Sequence, residues 1–140
     1  MKIRLAFFSY LVFSTLCFGR AHIVSKKEAP TYKILNEKGE ATLLLNEATG
    51  SKELSLSALT LKPGAVVPEH IHETSVEVLY ALEGALELTV EGKKFVVKKG
   101  DAAYIPQGAK HSARVAGKKP FAATQVYVGP GPEQRFKPKK

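Results

Sequence analysis

Residues 64–84 read GAVVPEHIHETSVEVLYALEG. This stretch contains two of the four histidines of the chain, His70 and His72, and Glu77 follows five residues after the second one. A glycine stands at each end of the stretch, where the chain can turn sharply. Imidazole and carboxylate groups together suit a first-row divalent metal ion. The spacing therefore indicates a metal site.

The three side chains do not share one face of a straight strand. His70 and His72 lie two residues apart and point to the same face, whereas Glu77 has the opposite parity. We therefore predict that the chain bends within residues 73–75, so that the histidines end one strand and Glu77 begins the next. A straight strand through residues 70–77 would exclude Glu77 from the site.

A fourth ligand is expected from a more distant part of the chain. His111 is the candidate, because Pro106 and Gly108 predict a tight turn just before it. Glu73 is an alternative carboxylate to Glu77.

The remaining chain predicts an all-β domain. Turn signals recur about every eight to twelve residues, which is typical of a sandwich or a barrel. The apolar segments predict strands at residues 31–35, 41–45, 53–61, 76–82, 86–90, 95–97, 102–105, 111–115 and 121–128.

Two local features are also predicted. In residues 53–61 the leucines change parity near Ala58, which predicts a bulge or bend at that position. Residues 130–140 are rich in proline and lysine, and we expect an extended basic tail there.

The length and charge restrict the classes of function. A chain of 140 residues accommodates one domain. The formal charge is +8, but the lysines are spread over the predicted turns, with no recognisable nucleic-acid-binding module. We expect no nucleic acid partner, and a weak preference for anionic ligands remains.

The first 21 residues have the features of a secretory signal peptide, with a short basic start followed by an apolar run. We expect cleavage after Gly19 or Ala21, a secreted or periplasmic protein, and no stable membrane anchor after cleavage. The alternative is an uncleaved anchor. Cys17, the only cysteine, lies in this leader, so the mature domain would contain no disulfide or cysteine nucleophile.

Two groups of residues at fixed offsets resemble the motifs of the cupin superfamily. The first motif, G-x5-H-x-H-x3-4-E-x6-G, is matched by Gly64, His70, His72, Glu77 and Gly84. The second motif is matched by Gly100, Pro106, Gly108 and His111. Val115 stands where the family often has asparagine, which is not a metal ligand.

The resemblance to a small single-domain cupin implies a jelly-roll β-barrel, at residues 31–129. It also implies one divalent transition metal ion (Fe, Mn, Zn, Ni or Cu) held by His70, His72, Glu77 and His111. Cupins of this kind are commonly homodimers.

Other polar residues are candidates for contacts near the metal or with a bound small molecule. They are Tyr80, Tyr104, Gln125 and Arg114, with Tyr127 as a further tyrosine of the same kind. The alternative for the tyrosines is packing between sheets or at a dimer face.

Two functions fit this set of residues. One is a metal-dependent enzyme of cupin type, an oxygenase, isomerase or lyase that acts on a small molecule. The other is a non-catalytic, metal-dependent binding module for a sugar or an organic acid. The fold alone does not choose between them, because one fold supports many functions.

Overall fold

The computed structural model describes residues 22–138, which form ten β-strands and two short 3-10 helices. The strands are β1 (Thr31–Ile34), β2 (Gly39–Leu45), β3 (Leu54–Leu61), β4 (Val66–His70), β5 (Val76–Glu83), β6 (Ala85–Val90), β7 (Lys93–Lys98), β8 (Ala102–Ile105), β9 (His111–Val115) and β10 (Phe121–Val128). The 3-10 helices are Glu47–Thr49 and Pro132–Phe136.

The strands form two antiparallel sheets that pack face to face. One sheet has six strands in the order β1-β2-β3-β10-β5-β8, and the other has four in the order β4-β9-β6-β7. Buried side chains from both sheets form a single hydrophobic core. The predicted all-β jelly-roll is confirmed, and β8 and β10 begin and end at the predicted residues.

The glycine at the end of the first motif is required by a close backbone approach. Gly84 has a φ of 73°, and a Cβ at this position would lie 2.1 Å from the carbonyl oxygen of Pro120. Any other residue would therefore clash with the backbone and adopt a strained left-handed conformation. Gly84 thus allows β5 to pass directly from the six-stranded sheet into β6 of the four-stranded sheet.

The predicted bulge near Ala58 is wrong. Ser55, Ser57, Leu59 and Leu61 are all buried, so the alternation along β3 continues without a change of parity. The register shift lies instead in β2, between residues 43 and 45. The prediction failed because two serines face the interior, whereas leucines occupy both faces of this strand.

The inner face of the six-stranded sheet is apolar at one end and polar at the other. Phe121 and Ala123 of β10 are buried in the hydrophobic core. Further along the same strand, Gln125 is aligned with Ser57, and Tyr127 is aligned with both Ser55 and Glu77. These buried polar residues therefore form a continuous group at one end of the barrel.

The prediction of an extended tail is wrong for residues 132–136, which form a 3-10 helix. The Glu133 side chain is fully buried and accepts a hydrogen bond from the Gly131 amide at 2.7 Å. Phe136 packs against the hydrophobic core. The tail is folded because a buried carboxylate and an aromatic ring hold it against the barrel.

The proposed signal peptide, residues 1–21, lies outside the described part of the chain, as do Lys139 and Lys140. Between residues 22 and 138, no helix is long and apolar enough to cross a membrane.

Candidate metal centre

The structure brings the four predicted ligands together between the two sheets. His70 ends β4, His111 begins β9, and these two residues are paired across the four-stranded sheet. Glu77 lies near the start of β5 in the six-stranded sheet, and His72 lies in the turn that joins the sheets. The candidate ligand atoms of all four residues lie within 4.8 Å of one another.

The break predicted at residues 73–75 is confirmed, because β4 ends at His70 and β5 begins at Val76. Two contacts fix this turn to the loop before β9. The Gly108 amide donates a hydrogen bond to the carbonyl of His72 at 2.9 Å, and the Gln107 side chain donates one to the carbonyl of Glu73 at 2.7 Å. The second motif therefore positions His72 as well as supplying His111.

Backbone carbonyl groups orient two of the histidines. The Nδ1 atom of His70 lies 2.8 Å from the carbonyl oxygen of Pro68, and Nδ1 of His111 lies 2.8 Å from that of Ala109. If Nδ1 donates to the carbonyl, the neutral ring carries its lone pair on Nε2. Such outer hydrogen bonds are typical of histidines that bind metals.

The Glu77 carboxylate is the centre of the polar network. Its Oε2 atom lies 3.1 Å from Nε2 of His72 and 3.2 Å from Nε2 of His111. Its Oε1 atom accepts a hydrogen bond of 2.7 Å from Nε2 of Gln125, which also donates to the Tyr127 hydroxyl at 2.8 Å. Glu77 is only 4% exposed, so these groups stabilise a charge that has lost its water.

The pKa values reflect this network. Burial alone would raise the pKa of Glu77, but the hydrogen bonds from His111, His72 and Gln125 outweigh it and lower the pKa to about 2. Burial lowers the pKa of His111, but the contacts with Glu77 and with the Ala109 carbonyl together outweigh burial, so its pKa is raised. Burial lowers the pKa of His70. The carboxylate therefore stays ionised and attracts a cation.

The donor set fits a divalent transition metal ion. Ligand atoms about 2.0–2.2 Å from one ion lie roughly 3–4 Å from one another, and the contacts of Glu77 with His72 and His111 are close to this spacing. Three imidazoles and one carboxylate leave coordination positions free for a small molecule. Among residues 22–138, His70, His72, Glu77 and His111 form the cluster of histidine and acidic side chains that could hold a metal ion.

The cluster opens into a cavity of about 770 Å³ between the sheets. His70, Glu77, His111, Gln125 and Tyr127 contribute to its wall. The Oε1 atom of Gln125 is buried and has no hydrogen-bond partner among the described residues.

The structure separates the other predicted site residues into two groups. Gln125 contacts Glu77 directly, and Tyr127 is 3% exposed with its ring 5.0 Å from that of His72. Tyr80 and Tyr104 are 48% and 65% exposed on the outer face of the six-stranded sheet. Their predicted role near the metal is wrong, because the residues of odd number point inward both on β5, which carries Tyr80, and on β8, which carries Tyr104.

Arg114 also lies outside the site. It is exposed on β9 and forms an ion pair with Glu87 at 2.6 Å. Its predicted contact with the ligand is wrong, because His111 and Val115 of the same strand point inward and Arg114 has the opposite parity.

Sequence reasoning missed Arg135 and Phe136, which line the cavity from the C-terminal 3-10 helix. The signal that was available is Phe136, an aromatic residue in a tail otherwise composed of polar residues, glycine and proline.

Comparison with known proteins supports the assignment suggested by the motifs. The sequence profile of the cupin domain matches residues 58–127. The chain belongs to the cupin family. It is 30% identical over 105 residues to an oxalate-binding protein of Thermotoga maritima, an alignment that covers 71% of this cupin and 87% of that relative. It is 31% identical over 109 residues to quercetin 2,3-dioxygenase of Bacillus subtilis, covering 72% of this chain but only 31% of the dioxygenase.

Solved structures share the fold. The structure of KdgF from Halomonas sp. superimposes with a TM-score of 0.70 at 20% identity, covering 82% of this chain and 99% of that one. A predicted oxalate decarboxylase from Thermotoga maritima gives a TM-score of 0.67 at 28% identity, covering 78% of this chain and all of that one. The fold is therefore that of a small cupin.

The lowered pKa of Glu77 predicts a pH-dependent stability of the metal-free protein. Its folded-state pKa, about 2, lies below its ordinary value of 4.5, so the stabilisation is present above pH 4.5 and is lost as the pH falls towards 2. We expect the wild type to lose about 3 kcal/mol of unfolding free energy over this range. Glu77→Gln should remove most of the loss, as measured by urea unfolding with a chelator present.

Glu28→Gln, which changes an exposed carboxylate, is the control and should follow the wild-type curve. Parallel pH curves for the wild type and Glu77→Gln would show that Glu77 does not carry this stabilisation.

Proposed function

We propose that this cupin binds one divalent transition metal ion, Fe, Mn, Zn, Ni or Cu, and acts on a small molecule in the adjoining cavity. The ligands are His70, His72, Glu77 and His111. The observation that carries the proposal is the convergence of three imidazoles on one buried carboxylate, within 4.8 Å. A buried carboxylate and neutral imidazoles are ligands that first-row metals prefer.

The metal ion would supply Lewis-acid polarisation of a bound oxygen atom or a site for dioxygen. The protein groups around it have separate roles. Gln125 fixes the orientation of Glu77 through its hydrogen bond to Oε1. The apolar wall of the cavity, which includes Leu79 and Ile105, excludes water from the bound molecule.

Tyr127 is the candidate hydrogen-bond donor to a bound molecule. Burial raises its pKa well above the ordinary value of 10.0, so the phenol stays protonated. Its oxygen accepts a hydrogen bond from Gln125, which leaves its own proton available to a molecule bound in the cavity.

Two of the relatives support different versions of this function. One is named as a dioxygenase of quercetin and the other as an oxalate-binding protein. The chain spans about a third of the length of the dioxygenase. We favour an enzyme because the set of ligands leaves coordination positions open. The alternative is a metal-dependent binding module for a sugar or an organic acid, which the similarity to the oxalate-binding protein supports.

Removal of one ligand tests the metal site. His72→Ala should lower the metal content of the purified protein at least tenfold, because the metal ion would lose one of its four protein ligands. His22→Ala is the matched control, since His22 is exposed and lies outside the cluster. Elemental analysis measures both. Equal metal content in His72→Ala and the wild type would overturn the assignment.

The same preparations separate an enzyme from a binding module. An enzyme takes up dioxygen or converts members of a metabolite panel only when it contains metal, and His72→Ala should abolish this turnover. Thermal stabilisation by a metabolite without any turnover would establish the binding module instead.

We further propose that the protein is secreted or periplasmic and that residues 1–21 are removed. The support is the basic start and apolar run of the leader. The intact mass of the protein exported by a host should correspond to a chain that begins at Arg20 or His22. A full-length mass in the exported or membrane fraction would contradict this proposal.

A homodimer is proposed on the outer face of the six-stranded sheet. Three large side chains on this face, Tyr80, Tyr104 and Val128, are 48–65% exposed. Cross-strand pairing places Val128 between Leu54 and Val76, and Tyr104 beside Val78. Contiguous apolar surface of this kind typically marks a protein interface, and a second copy of the chain would cover it symmetrically.

Val128→Lys should weaken this dimer, because it places a charge in an apolar interface. We expect the variant to sediment as a monomer where the wild type is a dimer, while its circular dichroism is unchanged. The control is Val66→Lys, which changes a similarly exposed valine of the other sheet. A wild-type protein that is monomeric at all concentrations would contradict the proposal.

A further inference from the structure

The cavity beside the metal cluster is larger and more apolar than a site for a very small ligand needs to be. Its volume is about 770 Å³, within the range of roughly 300–1,000 Å³ that is typical of sites for drug-sized molecules. Four partly buried apolar side chains line it in front of the core leucines: Ile34, Leu35, Val67 and Phe136. A two-carbon acid or a sugar would leave this apolar wall uncovered.

The opening of the cavity carries an arginine without an acidic partner. Arg135 lines the cavity from the 3-10 helix Pro132–Phe136. Both terminal nitrogens lie 3.4 Å from the carbonyl oxygen of Ile71, which is long for a hydrogen bond. Within residues 22–138, no carboxylate forms an ion pair with it. The guanidinium therefore keeps most of its donors for a ligand.

The residues on either side of Arg135 hold its backbone in place, so the guanidinium is not needed for that purpose. Phe136 packs against the hydrophobic core, and Glu133 is fully buried and bound to the Gly131 amide. Burial dominates the raised pKa of Tyr127, and the charge of Arg135 opposes part of that rise. The guanidinium is therefore within electrostatic reach of the groups at the metal site.

The other charges along the cavity favour a negative ligand as well. Lys33 is paired with Glu40, and Lys137 adds a second cation at the opening. The acidic residues of the wall are Glu69, which is exposed, and Glu77, whose charge a metal ion would more than offset. With metal bound, the positive charges exceed the negative ones.

We propose that the ligand of this site is an organic anion with an apolar body, such as an aryl or long-chain carboxylate, and that Arg135 determines this specificity. The apolar body lies against the apolar wall of the cavity, and the anionic group is bound by Arg135. The inference rests on the proposed function, because it identifies the class of molecule that the metal site acts on. Among the classes predicted from the sequence, it favours an apolar organic acid over a sugar.

A pair of probes with one apolar body tests the proposal. The probes are 2-naphthoate, which is charged, and 2-naphthamide, which is neutral. Their fluorescence anisotropy can be measured without interference from tryptophan fluorescence, because the chain has no tryptophan.

Zinc-loaded wild type should bind the naphthoate at least tenfold more tightly than the amide. Arg135→Gln should lose about tenfold in naphthoate affinity, as expected for a lost charge-assisted hydrogen bond, and bind the amide unchanged. Arg135→Lys should retain part of the preference.

The control is Arg114→Gln, which removes an arginine from the outer surface and should leave both affinities unchanged. The proposal is overturned by a wild type that binds no naphthoate at millimolar concentration or shows no preference for it. It is also overturned if Arg135→Gln weakens both probes equally, because that result indicates a packing role.

Metal analysis of the same samples separates this proposal from the proposed function. A wild type that takes up no zinc but still shows Arg135-dependent naphthoate binding would defeat the metal function and support the anion site. If the wild type contains metal but Arg135→Gln binds naphthoate as tightly as the wild type, the metal function is supported and the anion site is overturned.

Discussion

The structure depends on one buried negative charge. Glu77 is held between two sheets with 4% of its surface exposed, and a carboxylate without water is costly unless cations or hydrogen-bond donors replace the water. Contacts from His72, His111 and Gln125 replace it. They outweigh burial and hold the pKa of Glu77 at about 2. The charge is therefore permanent at neutral pH, and a cation bound between the imidazoles is the natural counterpart.

The topology explains why this arrangement forms. His70 and His111 come from paired strands of the four-stranded sheet, whereas Glu77 comes from the six-stranded sheet. The site can form only when the sheets face each other, and the hydrogen bond between Gly108 and His72 fixes the connecting turn. The same inner surface becomes apolar towards Phe121, so one barrel provides a polar site and an apolar wall beside it. This combination suits a ligand with a polar end and an apolar body.

The sequence predicted the strands, the turn at residues 73–75 and the four clustered residues well, because these depend on local spacing and on parity within single strands. It failed where both faces of a strand carry apolar residues. The leucines of β3 suggested a bulge at Ala58, although Ser55 and Ser57 face the interior. Gln125 lies in the site and Tyr80 lies outside it, and the sequence could not distinguish them because it does not show which face of each strand points inward. The folded tail depends on long-range packing of Phe136, which periodicity does not reveal.

The most direct test of the central claim is X-ray absorption spectroscopy of the metal in the purified protein. We predict one ion per chain, with three imidazole nitrogens and one carboxylate oxygen from the cluster at about 2.0–2.2 Å. Oxygen or nitrogen atoms from water or a bound molecule would complete the coordination shell. A metal with fewer than three imidazole ligands, or one bound through oxygen atoms alone, would contradict the account.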